Sequence, residues 1–383
     1  MIAPFEFLLP TKIRYGAGIL PVLGEELRLL GARTVMVVTD PGLVRAGMTA
    51  RVLDLIAAEG MRAVPFDGVE ANPKDVNVEA GAALARQEGV DTLVAFGGGS
   101  PIDAAKAIAV LARQGGTVRG YQGRGKIGPD CLPLLTIPTT AGTGSEVTFS
   151  SVITDTAEHF KFTIKSKAIA AKVAIIDPEL TLSVPPLVTA ATGIDALTHA
   201  IEGYTATCTE PIAEAVGLYA VELIAANIEE AVKNGSNLAA RDAMMMGSLL
   251  GGLSFSHADV ASVHCMAEAL GSLYDAPHGL CNAILLPYVM EYNLPVAQAK
   301  YARVARAMGI AEADDAKAAA QGIAHIRALS WAIGLPGMRS LSVDPATYDR
   351  LAELSEQNGS TPSNPRAIDR AGYRELFRRA CEE

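Results

Sequence analysis

The chain has 383 residues, half of them apolar, with 32 Lys and Arg against 42 Asp and Glu for a net charge of −10. That length suits two domains or one large one with an ample core, and the acidic balance argues against a nucleic-acid partner and gives no sign of a membrane-surface one. No apolar run reaches the ~18 residues of a membrane span, and the N-terminal MIAPFEFLLPTKIRYG lacks the basic region of a secretory signal. Five scattered cysteines (Cys131, Cys208, Cys265, Cys281 and Cys381) without CxxC pairs suit free thiols in a reducing cytoplasm.

Taken in order, the first half alternates strand-like and helix-like runs. KIRYG is a short strand, and RTVMVVTD (33–40) a buried strand ending in Asp40. A helix follows from Pro41 to Glu59, then the strand MRAVPFDGV and the helix KDVNVEAGAALARQEG. DTLVAFGGG is a strand running into glycines, and PIDAAKAIAVLAR a helix with Pro in its first turn, where a missing N–H does no harm. CLPLLTIPTT, SVITD, HFKFTI and AKVAIID are further strands. Strand, helix and strand in series predict a mostly parallel sheet covered on both faces. Past Pro185 and Pro186 only helical patterns remain, over 187–206, 211–233, 239–250, 257–274, 279–291, 295–308, 313–333, 346–357 and 367–381. The expected organisation is an N-terminal α/β domain, residues 1–185, and an all-α C-terminal domain, residues 186–383, with a ligand in a cleft between them.

GGGSPIDAAK (97–106) sits where a strand gives way to a helix. Glycines there let the backbone approach a diphosphate, and the helix N-terminus offers free N–H groups and a favourable dipole. The spacing is not GxGxxG, so the usual dinucleotide fingerprint is absent. PTTAGTGSE (138–146) supplies hydroxyls at Thr139, Thr140, Thr143 and Ser145 that suit the same cofactor. Asp40, closing a buried strand, is placed either to bond an adenosine ribose, favouring NAD over NADP, or to cap the next helix.

The helical half carries a candidate metal set. In GIDALTHAIEGY, Asp195 and His199 are four apart and share a helix face. VHCMAEALGSLYDAPHG adds His264, inside a helical run, and His278, after a proline. One carboxylate and three imidazoles suit Zn(II) or Fe(II), and the residues alone do not choose between them. Small neighbours (Gly271, Ser272, Ala276, Gly279) suggest a site open to a ligand. Cys265 and Cys281 read as small core residues.

GGGSPIDAAK, PTTAGTGSE, GIDALTHAIEGY, VHCMAEALG and APHGLCNAILLP occur in this order. Together they resemble the iron-containing (group III) alcohol dehydrogenase family, from TKIRYGAG to the Asn364–Arg366 NPR. The resemblance implies a dehydroquinate synthase-like fold: a Rossmann-like α/β N-terminal domain plus an all-α C-terminal domain. It implies a metal, usually iron and in some members zinc, on Asp195, His199, His264 and His278. It further implies NAD contacts from Asp40, Asn72, Gly98, Gly99, Ser100, Thr139, Thr140, Val152 and Lys161, and a homodimer or larger homo-oligomer. One departure stands out. Where many members carry a second histidine four residues after the third metal ligand, this chain has Glu268, a candidate proton carrier if burial raises its pKa, or a partner for some neighbour.

No Lys or Arg occurs from Val173 to Val232 or from Asp242 to Ala299, so both metal-bearing segments lack cations. Phosphate and carboxylate recognition normally uses them. The expected substrate is therefore a small uncharged alcohol or aldehyde, with Phe149, Leu253 and Phe255 as candidate apolar walls. The expected reaction is hydride transfer to or from NAD, the metal acting as Lewis acid. The alternatives are a glycerol or polyol dehydrogenase, a dehydroquinate synthase-like lyase, and a non-catalytic scaffold or metal-binding sensor that keeps the fold.

Overall fold

A computed structural model describes residues 2–158 and 160–382. The chain divides into two compact units. One comprises Leu8–Thr140 and Ser145–Thr181; the other comprises the chain from Leu182 onward, joined by residues through Phe7 and by Ala141–Gly144.

The first unit is α/β. Its elements in order are β1 (Lys12–Tyr15), α1 (Leu23–Leu29), β2 (Thr34–Val38), α2 (Pro41–Arg45), α3 (Met48–Ala58), β3 (Arg62–Phe66), α4 (Asp75–Gln87), β4 (Thr92–Gly97), α5 (Gly99–Gln114), β5 (Gly123–Arg124), β6 (Leu134–Pro138), β7 (Ser150–Asp155), β8 (Phe160–Lys165) and β9 (Val173–Ile176). Six strands form an all-parallel sheet in the order β1-β9-β6-β4-β2-β3. Alternate residues feed opposite faces, and both are buried. Val35 and Val37, with Val94 and Phe96, meet Leu23, Leu27, Val52 and Ile56 of α1 and α3 on one side. Met36 and Val38, with Leu93 and Ala95, meet Val78, Ala82, Ile102 and Ile108 of α4 and α5 on the other. Each such Val, Leu, Ile, Met or Phe side chain contributes ~1.5–3 kcal/mol on burial, which explains why these strands read as unbroken apolar runs.

Two expectations need correction here. The helix expected from Pro41 to Glu59 is two, because Gly47 adopts φ 71° between α2 and α3. The strands around SVITD and HFKFTI do not join the parallel sheet; β7 and β8 form an antiparallel hairpin, with β5 alongside β8. The expected strand start at His159 lies outside the described residues.

Beneath the glycine loop is a buried polar cluster. Lys106 on α5, fully buried, lies 2.7 Å from the Ser145 carbonyl, 2.8 Å from Thr148 Oγ1 and 2.8 Å from the Ser150 carbonyl. Asp103, one turn earlier, accepts from Ser145 Oγ at 2.5 Å and from the Val152 N–H at 3.0 Å. One helix face thus pins both the loop after β6 and strand β7. Burial pushes Lys106 down to about 8, against Asp103 and Glu146, and pushes Glu146 up to about 7, against Lys106.

The second unit is helical: α6 (Pro186–Thr205), α7 (Pro211–Lys233), α8 (Leu238–Ala258), α9 (Ser262–Tyr274), α10 (His278–Ala307), α11 (Asp315–Ala332), α12 (Tyr348–Glu356) and α13 (Arg370–Glu382). α10 replaces the two helices expected over 279–291 and 295–308. Pro287 and Pro295 both lie inside it, and packing along α6 and α11 carries the helix through positions where each proline forfeits a backbone bond. α8 runs on to Ala258 and stops at Asp259, φ 71°, so α9 starts at Ser262 and not at 257. α7 is long and apolar enough to cross a bilayer, yet it packs along α6 and α8 and carries four glutamates and Lys233.

Glycines bring α6, α7 and α8 to backbone contact. A Cβ on Gly203 would meet Ser254 Oγ at 2.5 Å and the Phe255 backbone nitrogen at 2.9 Å; one on Gly251 would meet the Ala196 carbonyl at 3.1 Å. Gly203→Ala should therefore overpack the α6–α8 contact and cost about 1–3 kcal/mol, read as a lowered urea midpoint. The Glu146 shift also sets a pH dependence. The folded chain holds a proton that an unfolded Glu releases near 4.5, so this group's stabilisation is present at low pH and lost as pH rises from about 4.5 through 7. Glu146→Gln should gain roughly 1–3 kcal/mol at pH 8 and far less at pH 5, measured by urea unfolding at both values.

Candidate functional site

α6 is the platform. Asp195, His199 and Glu202 stand at i, i+4 and i+7, on one face, and each is at most 5% exposed. His264 comes from the first turn of α9, and His278 is the first residue of α10. The start of α10 is pressed on α6: a Cβ on Gly279 would lie 2.5 Å from the Ala191 carbonyl and 3.4 Å from Asp195 Cβ. Only glycine allows that approach, and it brings His278 beside Asp195.

The donor atoms converge. His264 Nε2 and His199 Nε2 are 2.9 Å apart. Asp195 Oδ1 lies 3.8 Å from His264 Nε2 and 3.7 Å from His278 Nε2. Four ligands at ~2.1 Å around one cation would be separated by about 3.4 Å, so these spacings fit a shared divalent ion. Asp195, His199 and His264 form a possible three-ligand group among the described residues, and His278, 29% exposed at its side chain, faces the same carboxylate oxygen.

The electrostatics favour cation uptake. Burial pushes His199 down to about 3, with His264 and His278 acting in the same direction against Asp195. A neutral ring there offers a lone pair. Burial also lowers His264, but its hydrogen bond to Glu202, with Glu202, Asp195 and Glu268 as nearby charges, outweighs burial and leaves it raised. Among the described residues, Asn282 Oδ1 is buried without a hydrogen-bond partner, and such an atom in a packed interior points to a ligand that engages the surrounding groups. Phe255 stacks on the His199 ring at 4.3 Å, an apolar wall for the centre, and Leu253 is buried on the same helix.

Sequence reasoning did not single out two residues of this site. Glu202, three after His199, lies 2.6 Å from His264 Nδ1. Asn282, four after His278, donates from Nδ2 to Asp195 Oδ1 at 2.6 Å and lies 3.1 and 3.2 Å from the Nε2 atoms of His264 and His278. Both continue a helical stripe that already held a histidine, and that spacing was the available signal. Glu268 follows His264 by one turn, half-buried, and its Oε2 accepts from Asn358 Nδ2 at 2.7 Å. Cys265 lies near Thr361 Oγ1 at 3.5 Å, Cys281 is fully buried, and all five cysteines are free thiols.

The other predicted residues sit in the α/β unit, with Asp40, Gly98, Gly99, Ser100, Thr139 and Thr140 at the C-terminal ends of neighbouring strands. The strands β3-β2-β4-β6-β9 follow a doubly wound order that reverses between β2 and β4, where such sheets bind ligands. Asp40 follows β2 and caps α2, Oδ1 accepting from the N–H groups of Gly42 and Leu43 at 2.8 and 3.1 Å. Gly98 caps α5, with Gly99 and Ser100 in its first turn. A Cβ on Gly97 would strike Pro101 at 2.6 Å, and one on Gly98 would come within 3.2 Å of Thr140 Oγ1, so this loop tolerates only glycine at the first and little more at the second. Thr139 donates its N–H to the Gly97 carbonyl at 3.0 Å. Asn72, φ 52°, accepts from Lys161 Nζ at 2.8 Å, and Val152 lies on β7. Asp40, Gly98–Ser100, Thr139 and Thr140 therefore flank one strand-end crevice; Asn72 and Lys161 pair with each other, and Val152 is tied to α5 through Asp103.

Two family models match the chain: iron-containing alcohol dehydrogenase over residues 10–178 and the C-terminal domain of Fe-containing alcohol dehydrogenases over residues 189–381. It is 41% identical over 381 residues to a 1,3-propanediol dehydrogenase of Klebsiella pneumoniae, covering 98% of each chain. It is 34% identical over 364 residues to an NAD-dependent methanol dehydrogenase of Bacillus methanolicus, covering 94% of this chain and 96% of that one. The crystal structure of a 1,3-propanediol oxidoreductase superposes with a TM-score of 0.95 at 40% identity, covering 99% of this chain and 100% of that one. With a parallel-sheet α/β unit, a helical unit and an Asp–His–His–His cluster in place, the chain belongs to the iron-containing alcohol dehydrogenase family.

Proposed function

We propose that the protein is a metal-dependent oxidoreductase that moves a hydride between NAD(H) and a small uncharged alcohol or aldehyde. The observation that carries this is the convergence of Asp195, His199, His264 and His278 around one point in a family of NAD-linked alcohol dehydrogenases. Residues 1–185 are assigned to dinucleotide binding and 186–383 to metal and substrate. A divalent cation held by those four residues, iron in preference to zinc on family grounds, supplies Lewis-acid polarisation of the substrate oxygen.

The chain's own residues do the rest. The N–H groups of Gly98, Gly99 and Ser100, at the N-terminus of α5, receive the diphosphate, where the helix dipole adds to the attraction. Thr139 and Thr140 flank the same loop. Asp40 keeps one oxygen on its own helix and turns its charge against a 2′-phosphate, favouring NAD over NADP. Asn72, Val152 and Lys161 complete the assigned cofactor contacts. Phe255, over the His199 ring, shields one side of the centre from water. Neither metal-bearing segment holds a Lys or Arg, so an anionic substrate group finds no counter-charge on them.

Glu268 is assigned as proton carrier, one turn from His264. Its bond to Asn358 supports a competing, purely structural role. The two are separable: a proton-carrying Glu268→Gln variant should lose roughly 10²–10⁴-fold in kcat and one limb of its pH–rate profile. A structural role leaves the profile's shape intact.

The further assignments are a cytoplasmic location, for which the five free thiols speak, and a homodimer or larger homo-oligomer on family grounds.

The direct test is an absorbance assay of NADH formation over a panel of alcohols and aldehydes, with NAD(H) and NADP(H), on chelated enzyme resupplied with iron or zinc. Small uncharged alcohols should be oxidised with NAD only after metal is restored. Full turnover by metal-free protein, or preference for a phosphorylated or carboxylated substrate, would contradict the reading. His264→Ala should lose metal content and activity together, by roughly 100-fold or more.

A further inference from the structure

We propose that Glu202 is a positioning residue of the metal centre: it sets the tautomer and orientation of His264 and holds the start of α9 against α6. This rests on the metal reading above and extends it to a residue outside the ligand set.

Glu202 is 3% exposed and touches three donors. Its Oε1 accepts from the Val263 N–H at 2.8 Å; its Oε2 accepts from the Ala261 N–H at 2.9 Å and faces His264 Nδ1 at 2.6 Å. A buried ionised carboxylate is stable only when its lone pairs are engaged, and here three donors engage them. Two are backbone groups at the beginning of α9, where Ala261 stands at the N-cap and provides no side-chain cap. A carboxylate from another helix takes that role and complements the dipole of α9.

The third contact determines what His264 presents. A carboxylate accepts and cannot donate, so the imidazole proton sits on Nδ1. In the neutral ring the lone pair is then on Nε2, the atom 2.9 Å from His199 Nε2 and facing Asp195. The same three bonds fix the height of α9 along α6, so ring angle and helix position are set together. Asp195, His199 and Glu202 share one face of α6, so a single rigid helix supplies two ligands and the orienting group for a third.

Glutamine at this position offers one acceptor oxygen and an NH₂ to the same three donors. Its NH₂ faces a backbone N–H in either orientation, and where it replaces Oε2 it also donates to His264 Nδ1, which forces the ring proton onto Nε2 and into the cluster. Aspartate keeps the charge and loses one methylene of reach.

The test measures metal binding, not turnover. Chelator-stripped wild-type, Glu202→Gln and Glu202→Asp proteins, each checked for native circular dichroism, are titrated with Co(II) and followed by the d–d absorption bands. Glu202→Gln should bind cobalt about 10–100-fold more weakly with altered band positions, and Glu202→Asp should recover part of the loss. Equal affinity and identical bands in wild type and Glu202→Gln would overturn the proposal. Failure of wild type itself to bind cobalt would overturn the metal reading instead. A measurement needing no variant to fold is the ¹⁵N shift pair of His264 in metal-free wild type at alkaline pH. Protonated Nδ1 supports the assignment, and protonated Nε2 refutes it.

Discussion

A carboxylate buried to 2% exposure organises this protein's chemistry. A carboxylate at that depth in a packed helical interior costs several kcal/mol unless partners surround it. Three helices answer that demand. α6 supplies His199 one turn along, α9 supplies His264, and α10 supplies His278 and Asn282. Asn282 bonds directly at 2.6 Å. The three imidazoles stand further off, at separations suited to a cation shared between them and the carboxylate. The grouping is thus poised between an internal amide donor and an external positive charge.

Close backbone approach makes this possible. Gly279 lets α10 touch α6, while Gly203 and Gly251 let α8 do the same and place Phe255 on the His199 ring. Ala- and Gly-rich composition, unremarkable in a count, becomes the means by which long helices deliver side chains to within a few ångströms of one point. A larger residue at any of these contacts would shift a helix axis, and the ligand atoms with it.

The α/β unit follows a different constraint. A parallel sheet buried on both faces leaves its strand ends as the place where backbone polarity can be offered to a ligand. The glycine loop after β4 is shaped from below by Asp103 and Lys106, whose partners lie on the chain after β6 and on β7. Two titratable groups in that layer, Lys106 and Glu146, have pKa values drawn toward each other by burial. Rigidity beneath the loop therefore comes with pH sensitivity.

Much of this was legible in one dimension. Apolar runs such as TVMVV marked buried parallel strands, because a strand covered on both sides cannot alternate. The i, i+4 spacing of Asp195 and His199 placed both on one face, because 3.6 residues per turn demands it. Glycines between strand and helix marked the phosphate loop. Other features depended on contacts far apart in the chain. The proline-bearing α10 stayed whole through packing on α6 and α11, which outweighed local preference. The β7–β8 hairpin left the main sheet, a choice between pairing partners that strand propensity cannot make. Glu202 and His264 are 62 residues apart, and only the folding of α9 against α6 made a carboxylate near the end of one motif the orienting partner of a histidine in another.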